Sequence, residues 1–267
     1  INPFDIVRIP GALPQVMPHL DRLKSIFNAS FPMAEVLPVI LEEALVDLYD
    51  SQGWLADELP SAAVGRPTLE QLFNRILGLV RSKGYEDRIT TNITAALRTR
   101  VGSLLRGWKG SLFNHPLSTP WPDLFDRPVI VNLQGMGDDA DKCFTMSLLL
   151  NFMYEYRQAQ HEAGGSLESS ALQHLAIIEE AHRILRAAPP GHFGEAAPGV
   201  RMGEMFADIL AEIRAYGQGL AIVDQVPAKL IPDALKNTNL KIVHRLVAAD
   251  DRGAMAATMA LSDEQAH

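Results

Sequence analysis

Apolar and polar positions alternate along the chain in two regimes. Up to about residue 110 the apolar residues recur at helical spacing. Leu20, Leu23, Ile26 and Phe27 fall on one face of a helix over His19–Ala29. A second helix runs from about Pro32 to Asp50 with Val36, Val39, Ile40, Ala44, Leu45 and Leu48 inward, its proline tolerated in the first turn. After a proline- and glycine-containing loop over 55–67, Thr68 and Gln71 form a capping box. The helix it starts turns Leu69, Leu72, Phe73, Ile76 and Val80 inward and stops at Gly84. One longer helix is predicted over Glu86–Trp108, with Ile89, Ile93, Leu97, Leu104 and Leu105 buried. Residues 1–18 carry four prolines, which forbid a long helix there.

Beyond Pro128 the period changes. Val129–Leu133 (VIVNL) is a short β-branched run, followed by a glycine turn in which Asp138 or Asp139 can cap the next helix. That helix, about Asp139–Gln160, carries Phe144, Leu148, Phe152 and Tyr156 at steps of four, widened by Met146, Leu149 and Met153. A stripe of that breadth predicts packing against a sheet. Leu175–Ile178 is a four-residue apolar run of the kind that forms a buried parallel strand. Residues 187–201 are rich in Pro, Gly and Ala and predict an excursion without regular structure. A helix over Met202–Tyr216 ending at Gly217, a strand over Leu220–Asp224, a short helix around Pro227–Lys236 and a strand over Leu240–Val247 complete the pattern. Strands alternating with helices in that order imply an α/β fold with a mainly parallel sheet and right-handed crossovers.

Composition narrows the function only a little. The 267 residues are 47% hydrophobic and 21% charged, an ordinary globular balance. A formal net charge of −8 argues against a uniformly basic nucleic-acid-binding surface and leaves room for a local basic patch. The single cysteine, Cys143, excludes an internal disulfide and fits a reducing cytoplasm. No run of about eighteen apolar residues occurs, so no membrane span is expected. The first residue is Ile1 with no signal-peptide pattern behind it, which reads as an excised or processed piece of something longer.

The chemistry concentrates in His174–Leu185, HLAIIEEAHRIL. Glu179 and Glu180 would emerge at the carboxyl end of the strand, where open α/β sheets bind ligands. That is the arrangement of a Walker B element, in which one acid holds a hydrated Mg²⁺ and the next polarises the attacking water. The same residues also fit a buried strand leading into a helix whose dipole favours acids in its first turn. No close His/Cys metal spacing and no G-x-S-x-G elbow occurs. The adjacent Glu179 and Glu180 point to opposite faces of a strand, which does not suit glycoside hydrolysis.

In order and spacing, VIVNLQGMGDDADKCFTMSLLL, HLAIIEEAHRIL, EIRAYGQGLAIVDQVPAKL and NTNLKIVHRLVAADDR resemble blocks of the HerA/FtsK superfamily of hexameric DNA-pumping ATPases. Within it the chain is most similar to HerA-like proteins and the related type IV secretion ATPases. The resemblance implies a RecA-like P-loop NTPase core over residues 127–267, preceded by a mainly helical region over 1–126. It implies ATP and Mg²⁺ as cofactors, a cytoplasmic hexameric ring acting on DNA as translocase or helicase, and a nuclease or secretion partner. It matches Glu179 to the Mg²⁺-associated acid, Glu180 to the water-activating glutamate and Gln225 to the polar sensor near the γ-phosphate. Arg214 matches an arginine reaching a nucleotide at a subunit boundary, with Arg245 as second candidate. His182 lies beside the acids and can simply cap or pack.

One departure stands out: G-x-x-x-x-G-K-[ST], the loop that cradles phosphates, is absent. The Gly107–Ser111 segment GWKGS has the wrong spacing. A relative would carry that loop upstream of the INPF at residues 1–4, so this piece alone is expected to bind ATP weakly or not at all. A type IV secretion ATPase, or a non-catalytic scaffold retaining the motor fold, is the alternative.

Overall fold

The computed structural model describes residues 1–31, 36–55, 66–164, 171–187, 198–262 and 264. They form two compact units, Ile1–Gly164 and Gly165–His267.

The first unit is helical: α1 (Val16–Ser30), α2 (Leu37–Ser51), α3 (Leu69–Ser82), α4 (Asp87–Arg100), α5 (Gly107–Phe113), α6 (Trp121–Phe125) and α7 (Asp139–Gly164). α1 begins ahead of the predicted start because Pro18 lies in its first turn, where a missing N–H costs no intrahelical bond. α2 buries Ile40, Leu41, Ala44, Leu45 and Tyr49, whereas Val39, predicted inward, is 64% exposed. Residues 32–35, the predicted start of that helix, and most of the 55–67 loop lie outside the described residues. The capping box of α3 forms as predicted: Gln71 N donates to Thr68 Oγ1 at 3.3 Å and Thr68 N to Gln71 Oε1 at 2.9 Å.

The helix predicted over Glu86–Trp108 is interrupted. α4 ends at Arg100, a 3₁₀ turn spans Gly102–Leu105, and α5 starts at Gly107, whose φ of +57° no continuous right-handed helix holds. Within its own unit the broad stripe of α7 is buried among helices: α7 packs along α1, and Phe144 meets Phe27, Phe31 and Phe113 at centroid distances of 5.0–5.4 Å. A buried polar network joins the same two helices. The Glu155 carboxylate accepts from His19 Nδ1 at 3.0 Å, Arg22 Nη2 at 2.8 Å and Asn151 Nδ2 at 2.9 Å. His19 Nε2 faces the Pro3 carbonyl at 3.2 Å.

The second unit holds β1 (His174–Glu179), α8 (Pro198–Glu212), β2 (Gln218–Val223), α9 (Pro232–Lys236) and α10 (Ala249–Met259). Most of the predicted irregular excursion over 187–201 lies outside the described residues. β1 and β2 pair in parallel, in register from His174 opposite Gln218 to Glu179 opposite Val223. Between α8 and β2 a 3₁₀ turn over Ile213–Tyr216 ends at Gly217, with φ +71°. A Cβ there would come within 2.7 Å of Gln173 Cγ and 3.0 Å of the Ala171 carbonyl, so only glycine fits this entrance to the strands.

Two predicted strands are corrected. Val129–Leu133, in the first unit, and Leu240–Val247, in the second, join no ladder, and Ile130 and Val247 are 95% and 81% exposed. The parallel sheet thus has two strands among the described residues. β-Branched residues supply the extended preference, but a strand also needs a neighbour's N–H and C=O groups. β1 is not buried on both faces: Ile178 is buried while Leu175 and Ile177 are exposed.

Candidate active site

The parallel register carries the carboxyl ends of β1 and β2 to the same edge, so the residues after Glu179 emerge beside those after Val223. Glu180 then takes the left-handed conformation, φ 56° and ψ 41°. For a non-glycine residue this costs about 1–2 kcal/mol, a strain held only where surrounding contacts impose it. Those contacts follow at once. The 3₁₀ turn Ala181–Arg183 buries Ala181, Ile184 and Leu185. Its exit is pinned by Ile231 N donating to Leu185 O and Ala187 N to Lys229 O, both at 2.8 Å.

Asp224, just past β2, clasps that turn. Its Oδ2 accepts from the backbone N–H and from Nδ1 of His182, each at 2.8 Å, and its Oδ1 accepts from Val226 N at 2.9 Å. Its side chain is 3% exposed. Burial pushes the carboxyl up, but the N–H groups of Val226 and His182 outweigh it and bring it below the ordinary aspartate value. Because a carboxylate has no proton to give, Nδ1 of His182 carries the hydrogen. Its Nε2 lies 3.9 Å from Glu180 Oε2, which also accepts from Arg183 Nη2 at 3.2 Å. The Glu180 carboxylate is half exposed, facing solvent on one side and two nitrogen-bearing side chains of its own turn on the other.

Glu179, Glu180 and Gln225 thus gather at one end of the strand pair. Glu179 closes β1 on the exposed face shared with Leu175 and Ile177. Its carboxylate has no ion-pair partner among the described residues, which suits an oxygen ligand for a hydrated Mg²⁺ that takes one or two carboxylates plus phosphate. No cluster of three or more His, Cys, Asp or Glu side chains occurs among the described residues, so a site built entirely from protein ligands is not formed there. Gln225 is exposed and follows Asp224 directly. Arg214 lies in the turn before β2, at the strand's opposite end. At about 3.3 Å per residue the six-residue strand alone separates it from the acids by roughly 20 Å. Arg245 sits exposed on the unladdered 240–247 segment. Asp224 was not singled out by the sequence, whose only hint was an acid closing an apolar run. His182, read there as a residue that caps or packs, is the one Asp224 holds.

No family model matches the chain. The DNA double-strand break repair helicase HerA of Pyrococcus furiosus is 34% identical over 98 residues, 37% of this chain and 16% of that protein. VirB4 of Thermoanaerobacter pseudethanolicus superposes with a TM-score of 0.62 at 18% identity, covering 100% of this chain and 66% of that one. The chain therefore spans a small part of HerA and about two thirds of VirB4. The first likeness is one of sequence and the second one of fold. Together they uphold the resemblance to the HerA/VirB4-type P-loop ATPase superfamily. Among the described residues no helix is long and apolar enough to cross a membrane.

Proposed function

We propose that this chain is the hydrolytic part of a HerA-type motor, a RecA-like core over residues 127–267 with a helical region over 1–126, which assembles as a hexameric ring and moves DNA at the expense of ATP. One observation carries the proposal: two adjacent carboxylates at the carboxyl ends of paired parallel strands, the second held in a strained turn, within a chain similar to HerA and VirB4. Glu180, in its left-handed turn just past the strand end, would take the proton of the attacking water. Glu179 supplies an oxygen ligand to Mg²⁺. Gln225 donates its amide N–H toward phosphate and accepts from the water, both of which an uncharged amide can do at once. Arg214 reaches the nucleotide of a neighbouring copy, with Arg245 as the second candidate. When bound, Mg²⁺–ATP provides the phosphoryl group and the neutralising metal charge.

The test is ATP hydrolysis by the intact assembled protein, with and without double-stranded DNA, comparing wild type with Glu180→Gln. The expected result is DNA-stimulated turnover that falls by on the order of a hundredfold or more in the variant. Absence of turnover in assembled wild type, with and without DNA, leaves a non-catalytic scaffold in its place.

A further inference from the structure

We propose that the surface running from α4 through the 3₁₀ turn to α5 is a docking face for the phosphate backbone of DNA. This rests on the DNA-moving function proposed above and adds where the DNA is touched. From Arg88 to Pro122 the chain has five basic residues, Arg88, Arg98, Arg100, Arg106 and Lys109, and no aspartate or glutamate. In the whole chain 32 acids outnumber 24 bases, and an even spread would put about four acids in that stretch.

The fold turns this run outward. α4 buries Ile93 and Leu97, which leaves Arg88 and Arg98 on its solvent side. The 3₁₀ turn buries Leu104 and delivers Arg106 exposed at the start of α5. α4, the turn and α5 pack successively on one another, which strings the exposed Arg88, Arg98 and Arg106 along neighbouring elements. Lys109 is neutralised by Asp141 at 2.7 Å. The four arginines have no counter-ion among the described residues. The helix dipole accounts for cations in the last turn of α4. It does not account for Arg106, nor for the lack of acids between Asp87, which opens α4, and Asp123. Next to Arg106, Trp108 is 49% exposed, an aromatic face set among cations. Unneutralised arginines around an exposed ring suit a polyanion that also carries flat bases.

The test is fluorescence anisotropy of a labelled duplex with the intact protein across a salt series. Arg98→Glu/Arg106→Glu is expected to weaken binding at least tenfold at low salt and to lower the slope of log affinity against log salt by about 2, nearly one for each phosphate no longer neutralised. Arg98→Gln/Arg106→Gln, which deletes the charges without reversing them, should lower the slope equally with a smaller loss of affinity. Basal ATP hydrolysis should stay unchanged in both pairs while DNA stimulation disappears. Arg127→Glu, an exposed arginine outside the run, should bind as wild type. Wild-type affinity and slope in both double variants would overturn the docking face and leave the DNA-moving function standing. Failure of the wild type to bind duplex at low salt would remove both. Competition by polyglutamate of equal charge as effective as by the duplex would assign the face to acidic protein and overturn it too.

Discussion

Replacing Asp224 tests whether the ends of the two strands are clasped by one carboxylate. The side chain is almost fully buried and accepts three N–H groups, two from His182 and one from Val226. In Asp224→Ala the backbone N–H groups of His182 and Val226 lose their acceptor while half-buried, at about 1–2 kcal/mol each, and the imidazole loses a charge-assisted partner. The expected cost is about 3 kcal/mol. Asp224→Asn keeps one oxygen acceptor but turns an NH₂ toward a donor, for a cost of about 2 kcal/mol. His182→Ala leaves both backbone donors satisfied and should cost about 1 kcal/mol. Urea unfolding followed by far-ultraviolet circular dichroism gives the totals, and hydrogen exchange at the Val226 amide gives the local effect. Because the folded-state carboxyl lies below its unfolded value of about 3.9, its contribution is complete above that pH and is lost as pH falls through the folded value. Asp224→Asn should therefore flatten the acid limb of the stability curve. A cost for Asp224→Ala below about 0.5 kcal/mol, or one smaller than that of His182→Ala, would refute the clasp.

Glu155→Ala strands His19 and Arg22 inside the helical unit and should cost about 3–5 kcal/mol, read by the fluorescence of Trp54, Trp108 and Trp121, all in that unit. Burial raises the Glu155 carboxyl, but His19 and Arg22 together bring it below the ordinary value, so this contribution also holds above about pH 4.3 and disappears at lower pH. Thr68→Ala removes the α3 cap and should lower stability by about 1 kcal/mol in the same assay. At Glu180, glycine should be more stable than alanine by about 1 kcal/mol, the reverse of their order in a helix, because φ is positive. Equal stability of Glu180→Gly and Glu180→Ala would show that the left-handed turn is absent in solution.

What the sequence disclosed depended on how local the physics is. The α3 capping box involves residues three apart, and Gly84 and Gly217 adopt the positive φ that made them stops, so these features were legible. The acids were legible as a pair ending an apolar run, and the register places them beside the residues that follow β2. The clasp was not, because it joins Asp224 to a residue 42 positions away and depends on that register. Nor was the Arg22–Glu155 pair, which spans 133 positions and requires α1 to lie along α7. The segments 129–133 and 240–247 show the opposite failure. Their composition states an extended preference correctly, but ladder formation is decided by which neighbour supplies hydrogen-bonding edges, and composition holds no information about that.

The placement of Arg214 bears on how the proposed motor would work. An arginine at the entrance of β2 and acids at its exit are held apart by a rigid strand, and a guanidinium side chain cannot cross roughly 20 Å. If Arg214 acts on a phosphoryl group, that group belongs to another copy. Every hydrolytic site would then draw Glu179, Glu180 and Gln225 from one copy and its arginine from the next, so an isolated subunit would hold an incomplete site however well it folded. Under that proposal β2 would be the spacer with one half-site at each end, and Gly217 fixes the turn that holds Arg214 at the strand entrance. A finger at the carboxyl end of the sheet could have served its own subunit. One at the amino end, as proposed for Arg214, would make hydrolysis a property of the ring.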